Sequence, residues 1–274
     1  TRVALLFVMA LVAFAARQTP ASALSTGVVI SQVYGGGGNS GATYTHDFVE
    51  LFNRGTTAVN LAGWSIQYTS ATGTGNFGSS STLITELSGS IPAGGYLLIQ
   101  EASNATVGAA LPTPDITDAT PIAMAAGGGK VALVNTTTPL GCNGNANVCS
   151  AGALATIVDL VGFGNANYFE GTGAAPTPSA TISVVRKDNG CTETDNNNSD
   201  FESDPAPFTP RNTATTLNVC TGSGDEAPSI TATNPINNAT NVAANTTITL
   251  NFSETVAITG TVQVVGSVSL TQNL

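Results

Sequence analysis

Short apolar runs separated by clusters of Gly, Ser, Thr, Asn and Pro set the rhythm of the chain from Val28 onward. Eight of these runs read as strands: residues 28–34, 47–53, 64–68, 83–87, 96–100, 130–135, 156–163 and 181–186. They are rich in Val, Ile, Leu, Thr and Tyr, and residues that turn the chain bound them. In KVALVN at 130–135 the apolar run has polar ends, as a buried sandwich strand does. IPAGG at 91–95 is a turn, because Pro fixes φ and Gly permits positive φ. Sustained helical periodicity is missing beyond the first 23 residues. The pattern predicts an all-β domain, a β-sandwich. Two long irregular connections are expected, at 113–126 beside Pro112, Pro114 and Pro121, and at 171–179. The polar stretch 186–211 reads as extended chain laid across the sandwich.

TGSGDEAP at 221–228 is a linker by composition, and a second β unit follows it. Within that unit Ile248, Leu250 and Phe252 alternate with Thr and Asn. Only about 47 residues run from Pro228 to Leu274, whereas a complete sandwich takes roughly 100. Further domains are therefore expected after Leu274. At the other end, Arg2 precedes an apolar run at 3–16, and Ala21-Ser22-Ala23 forms an A-x-A site. This reads as a signal peptide cleaved after Ala23, too short for a membrane span of roughly 20 apolar residues. The expected plan is a signal peptide at 1–23, a sandwich domain at 24–220, a linker at 221–228 and a partial second sandwich at 229–274. The mature chain is expected outside the cell or at its surface, with no membrane span.

Composition sharpens this picture. Only 9% of residues are charged and the net charge is −10. Loss of residues 1–23 removes Arg2 and Arg17, leaving five basic side chains against seventeen acidic ones. Such a surface keeps an exported protein soluble and disfavours bare phosphate backbones, whose affinity comes from Lys and Arg. The four cysteines, Cys142, Cys149, Cys191 and Cys220, all follow the signal segment. Three pairings are possible in principle. Cys142 and Cys149 flank a Gly/Asn loop that can close on itself, and Cys191 with Cys220 would then staple the end of the domain. A zinc site is disfavoured, since there is no C-x-x-C and His46 is the sole histidine.

Several stretches together resemble the lamin-tail domain in its bacterial secreted form. They are ISQVYGGGGNSG at 30–41, DFVELFN at 47–53, VNLAGWSIQY at 59–68 and IPAGGYLLIQ at 91–100. GKVALV at 129–134, DLVGFG at 159–164, RKDNGCTETDNNNSDF at 186–201 and TPRN at 209–212 extend the match. The unit after Pro228 resembles a truncated bacterial Ig-like domain. The resemblance implies an Ig-like sandwich with no catalytic residues or cofactor of its own. It implies an accessory or binding region of a secreted bacterial multidomain protein, as found at the N-terminus of extracellular nucleases. The alternative is a surface-adhesion or structural protein made only of β modules. Extracellular DNA, a glycan or a cell-surface protein is the expected class of partner.

Candidate chemistry is sparse. Any Ser-His-Asp arrangement would have to use His46 beside Asp47, and no G-x-S-x-G elbow accompanies it. Glu50 could pair with Asp47 as an acid/base couple, but in a strand it reads as an edge or solvent-face carboxylate that can bond a backbone N–H. Asp195, Asn197 and Asp200 form the best calcium candidate, since clustered carboxylate and amide oxygens suit that ion. The same cluster can instead build a turn, and the D-x-D-x-D-G spacing is missing. The glycines at 35–38 lack the Lys-Ser/Thr of a phosphate loop and read as a flexible hairpin connection. Trp64 is expected to anchor the core with its N–H bonded, carbohydrate stacking being the alternative.

Overall fold

The computed structural model describes residues 27–220, 230–236, 239, 242–243, 246–247 and 249–252. The signal segment and the linker lie outside the described residues. The chain divides into two compact units, Thr1–Gly224 and Asp225–Leu274.

The first unit is all-β, and its described residues carry twelve strands in chain order. They are β1 (Val28–Tyr34), β2 (Phe48–Asn53), β3 (Val59–Asn60), β4 (Ser65–Ser70), β5 (Ile84–Glu86) and β6 (Ser90–Ile91). Then come β7 (Tyr96–Gln100), β8 (Ile116–Thr117), β9 (Gly128–Val134), β10 (Ile157–Gly164), β11 (Ile182–Arg186) and β12 (Phe201–Pro205). A six-stranded sheet has the order β12-β11-β1-β2-β7-β8, and a four-stranded sheet the order β10-β9-β4-β5. Their inner faces share one core: Ile30, Val33, Val49, Leu51, Leu97, Ile99 and Val184 meet Ile66, Tyr68, Val131, Leu133, Val161 and Phe163. This is a two-layer sandwich. In the second unit Ile230–Asn234 and Thr249–Phe252 pair as an antiparallel ribbon.

All eight runs read from the sequence are strands. The clean alternation of a one-sided sheet is weak because the outer faces are covered as well. On the four-stranded sheet, Phe77, Leu140 and the Cys142–Cys149 disulfide pack over Ala132, Val134 and Leu160. On the six-stranded sheet the cover is the chain after β12, tied down by the Cys191–Cys220 disulfide. Covering both faces explains how a chain with so few charges buries nearly every strand residue.

The all-β class holds, and beside the strands stand the single turns α1 (Ala151–Leu154) and α2 (Asn197–Asp200), the first capped by Ser150 Oγ accepting from Ala153 N at 3.2 Å. Four residues are too few to leave a periodic signature. The stretch 186–211 is more than extended chain, since it holds a 3₁₀ turn at Asp188–Gly190, then α2, then the edge strand β12. FESDP hides that strand because Phe201 alone faces the core while Glu202 and Ser203 are exposed.

The Cys191–Cys220 bridge closes a loop of sequence separation 29. The chain-entropy model assigns such a loop about 3.6 kcal/mol. Replacing both cysteines with serine is expected to lower unfolding free energy by about that much in a denaturant titration. The chain at 206–220 should also become the first site of proteolytic cutting.

Candidate functional site

Parity along β2 decides the roles of its acidic residues. Val49 and Leu51 join the inter-sheet core, so Phe48, Glu50 and Phe52 face outward. Glu50 is nevertheless 0% exposed. It is neither an edge nor a solvent-face carboxylate, because the segment after β12 lies over it. Arg211 from that segment donates to Glu50 from Nη2 at 2.8 Å, from Nε at 3.1 and 3.2 Å, and from its backbone N at 2.5 Å. Ser31 Oγ, presented by a bulge between Ile30 and Gln32, donates to the same carboxylate at 2.5 Å. The guanidinium stacks over the Tyr96 ring at 4.1 Å and reaches Tyr96 Oη at 3.0 Å. Phe208 fills a cluster with Tyr34, Tyr44 and Phe48. Asn218 N and Gly94 O close the far end at 2.8 Å. The segment is a strap.

Asp47 and Glu50 do not form a couple. Asp47 accepts from Gly37 N at 2.8 Å and from Met124 N at 2.9 Å. Burial outweighs those two bonds and pushes its carboxyl up to about 7. Both oxygens are taken, so the neighbouring His46 lacks the carboxylate a triad needs. Glu101 plays a similar part. It accepts from Ile122 N at 2.7 Å and Thr85 Oγ1 at 2.8 Å, and burial raises it to about 8. Two buried acids thus hold the irregular stretch around 122–124 where sheet pairing does not.

The glycines at 35–38 form a packed corner rather than a flexible hairpin, and all four are buried. A Cβ on Gly37 would stand 2.1 Å from His46 C, and Gly38 sits at φ +71°. Only glycine permits this approach and this dihedral. Trp64 is half-buried against the core rim, and its indole N–H has no hydrogen-bond partner among the described residues.

The calcium candidates build a turn around a buried arginine. Asn197 Oδ1 accepts from Gly162 N at 2.9 Å, and its Nδ2 donates to Leu160 O at 2.8 Å. Asp200 accepts from Thr194 N at 2.9 Å, Thr194 Oγ1 at 2.6 Å and Asn196 N at 3.2 Å. Asp195 occupies φ +52° in that turn. The side-chain oxygens of Asn197 and Asp200 are thus engaged within the protein. Among the described residues no group of three or more His, Cys, Asp or Glu is placed to hold a metal ion.

At the centre lies Arg186, 1% exposed. It donates to Asp159 at 2.9 and 3.1 Å, to Ile30 O at 3.0 Å, to Thr192 O at 3.2 Å, and to Glu193. Asp200 stands 3.6 Å away and the Phe201 ring 4.4 Å. A second bulge, between Ile157 and Asp159, aims Asp159 across to β1, where it accepts from Ile30 N at 2.5 Å. Burial raises Glu193 to about 7 and, with the charges of Asp159 and Glu193, lifts Glu170 well above the usual range. These groups carry structure; none is open to a substrate. The sequence held one signal for them: a charged residue inside an apolar strand, as in IVDLVGFG and FVELFN.

A concavity lies between the strap and the β11-β12 edge. It has a volume of about 310 Å³ and is lined by Gln32, Val185, Asp188, Glu202, Asp204 and Arg211, among others.

A family model described as Lamin Tail Domain matches residues 21–157, and one described as Bacterial Ig-like domain matches residues 224–273. No curated protein matches. Among solved structures, a DUF4876 family protein from Bacteroides thetaiotaomicron is similar at 14% identity and a TM-score of 0.43. That match covers 70% of this chain and 74% of the other.

Proposed function

The chain belongs to the lamin tail domain family, and from that premise we propose that it is an accessory region of a secreted bacterial multidomain protein. It binds or positions rather than reacts. The observation that carries this reading is the order of modules: a lamin-tail sandwich at 21–157 precedes an Ig-like module at 224–273 on one chain. The apolar run after Arg2 and the two disulfides support export, since such bridges persist in oxidising compartments. No helix of the described residues is long and apolar enough to cross a membrane.

The activity served is that of an extracellular nuclease. The complete gene product is expected in the culture medium, starting at Leu24, and to cut DNA only with a divalent cation present. The 274-residue chain alone should cut none. A complete product without divalent-dependent cutting overturns the nuclease assignment and favours an adhesion protein of β modules. A product retained in the cytosol with Thr1–Ala23 intact overturns export.

A further inference from the structure

The inter-sheet core takes Val131 and Leu133 of β9, so Lys130, Ala132 and Val134 face the cover on the other side. Lys130 is 0% exposed there and enters no ion pair among the described residues. Its ammonium donates to two amide oxygens, Asn143 O and Asn167 Oδ1, each at 3.0 Å. The Phe77 ring stands 5.9 Å from Nζ. Lysines are almost never fully buried unless paired with a carboxylate, and this one faces amides instead. Burial pushes its amine down to about 8, so a large share is uncharged in mildly alkaline solution.

The partner groups are held in place by their own contacts. Asn167 N donates to Ala71 O at 3.0 Å. The next residue, Tyr168, is packed against two glycines. A Cβ on Gly144 would stand 2.1 Å from Tyr168 Cγ, and one on Gly162 would stand 2.2 Å from Tyr168 O. Asn143 Oδ1 accepts from Asn145 N and Asn147 N at 3.0 Å, inside the loop that the Cys142–Cys149 disulfide closes. Amine and side-chain amide therefore meet at fixed positions. With Nζ 3.0 Å from Oδ1, Cγ of Asn167 lies no more than about 4.2 Å from the amine nitrogen. Reacting atoms in a near-attack pair stand about 3–3.5 Å apart, a gap that a small turn of either side chain closes.

We propose that Lys130 and Asn167 join in an intramolecular isopeptide bond that the protein forms by itself. The uncharged amine of Lys130 attacks Cγ of Asn167. The Nζ–Cγ bond forms, the Cγ–Nδ2 bond breaks, and one amine proton passes to Nδ2, which leaves as ammonia. Nothing is oxidised or reduced, and no co-reactant is consumed. Two features favour the step. Amide formation removes a buried charge that has no counter-charge, which is otherwise costly. Asn143 Nδ2 is buried with no acceptor among the described residues, and such a donor can meet the oxygen that gains charge during attack. Once joined, Lys130 carries no charge and does not titrate. The bond ties β9 to the connection after β10 across 37 positions and, unlike the two disulfides, survives reduction.

The test is the intact mass of the full 274-residue chain, folded with its disulfides formed, kept at pH 9, then unfolded and reduced. The expected mass is one ammonia below that of the sequence. A protease digest should yield one branched peptide holding both Lys130 and Asn167. Lys130→Met and Asn167→Ala should each keep the full mass. The parent chain decides the matter even if either variant fails to fold. The proposal falls if the parent keeps its full mass. It also falls if the ammonia loss persists in Lys130→Met, or if it maps to an asparagine cyclised on its own backbone.

Discussion

Replacing Arg186 with methionine is expected to lower the unfolding free energy by about 3–5 kcal/mol, the cost of leaving a buried ion-pair group without its partner. The methionine fills comparable volume, so cavity formation is a minor part of the loss. The major part is charge. Asp159, Glu193 and Asp200 all stand within 3.6 Å of the guanidinium and have little water to replace it. Arg186→Lys should recover only a fraction, because one ammonium cannot reach Ile30 O, Thr192 O, Glu193 and Asp159 at once. Asp159→Asn is expected to cost less than Arg186→Met, since it removes one negative charge from an excess. Urea titrations of the three variants give the ranking. A fully stable Arg186→Met would mean that the cluster is neutral in the folded protein.

The framework was legible in the sequence because its signal is local. Eight apolar runs bounded by turn residues sufficed for eight strands. What stayed hidden depends on distant segments. Whether Glu50 meets water is decided by Arg211, which lies 161 positions away. Likewise Asp159 meets Ile30 across 129 positions. Two one-residue bulges, at Ser31 and Val158, re-aim the side chains that matter, and neither leaves a pattern of its own. The glycine run misled for a related reason: glycine marks freedom in an isolated chain but close approach in a packed one. The groove was invisible too, since Glu202 and Asp204 sit in a segment whose polarity conceals an edge strand.

A second large effect is expected from pH: the first unit should lose stability steadily between pH 5 and pH 8. Asp47 is raised to about 7, Glu193 to about 7 and Glu101 to about 8, all chiefly by burial, and Glu170 is raised in the same direction. An acid whose folded pKa exceeds its unfolded value binds more proton when folded. Its contribution is therefore full below about pH 4 and is lost as pH rises through 7–8. Lys130 is depressed to about 8 by burial, so its cost is constant below that pH and eases only above it. It does not oppose the trend between pH 5 and 7. A tenfold change in proton affinity is worth about 1.4 kcal/mol, and with coupling and local relaxation the sum is on the order of 3–6 kcal/mol. For a domain of this size that is a fall of roughly 10 °C in Tm between pH 5 and pH 8. Glu101→Gln should flatten the profile, because the amide mimics the protonated acid and removes about one proton from the linkage. Its stability at pH 5 should stay close to the parent's, since the amide oxygen can accept from Ile122 N while the amide nitrogen donates to Thr85 Oγ1. The slope against pH, not the midpoint at one pH, is thus the informative quantity. An unfolding free energy that rises from pH 5 to pH 8 would mean that these carboxylates are ionised inside the fold and held by their backbone N–H donors alone.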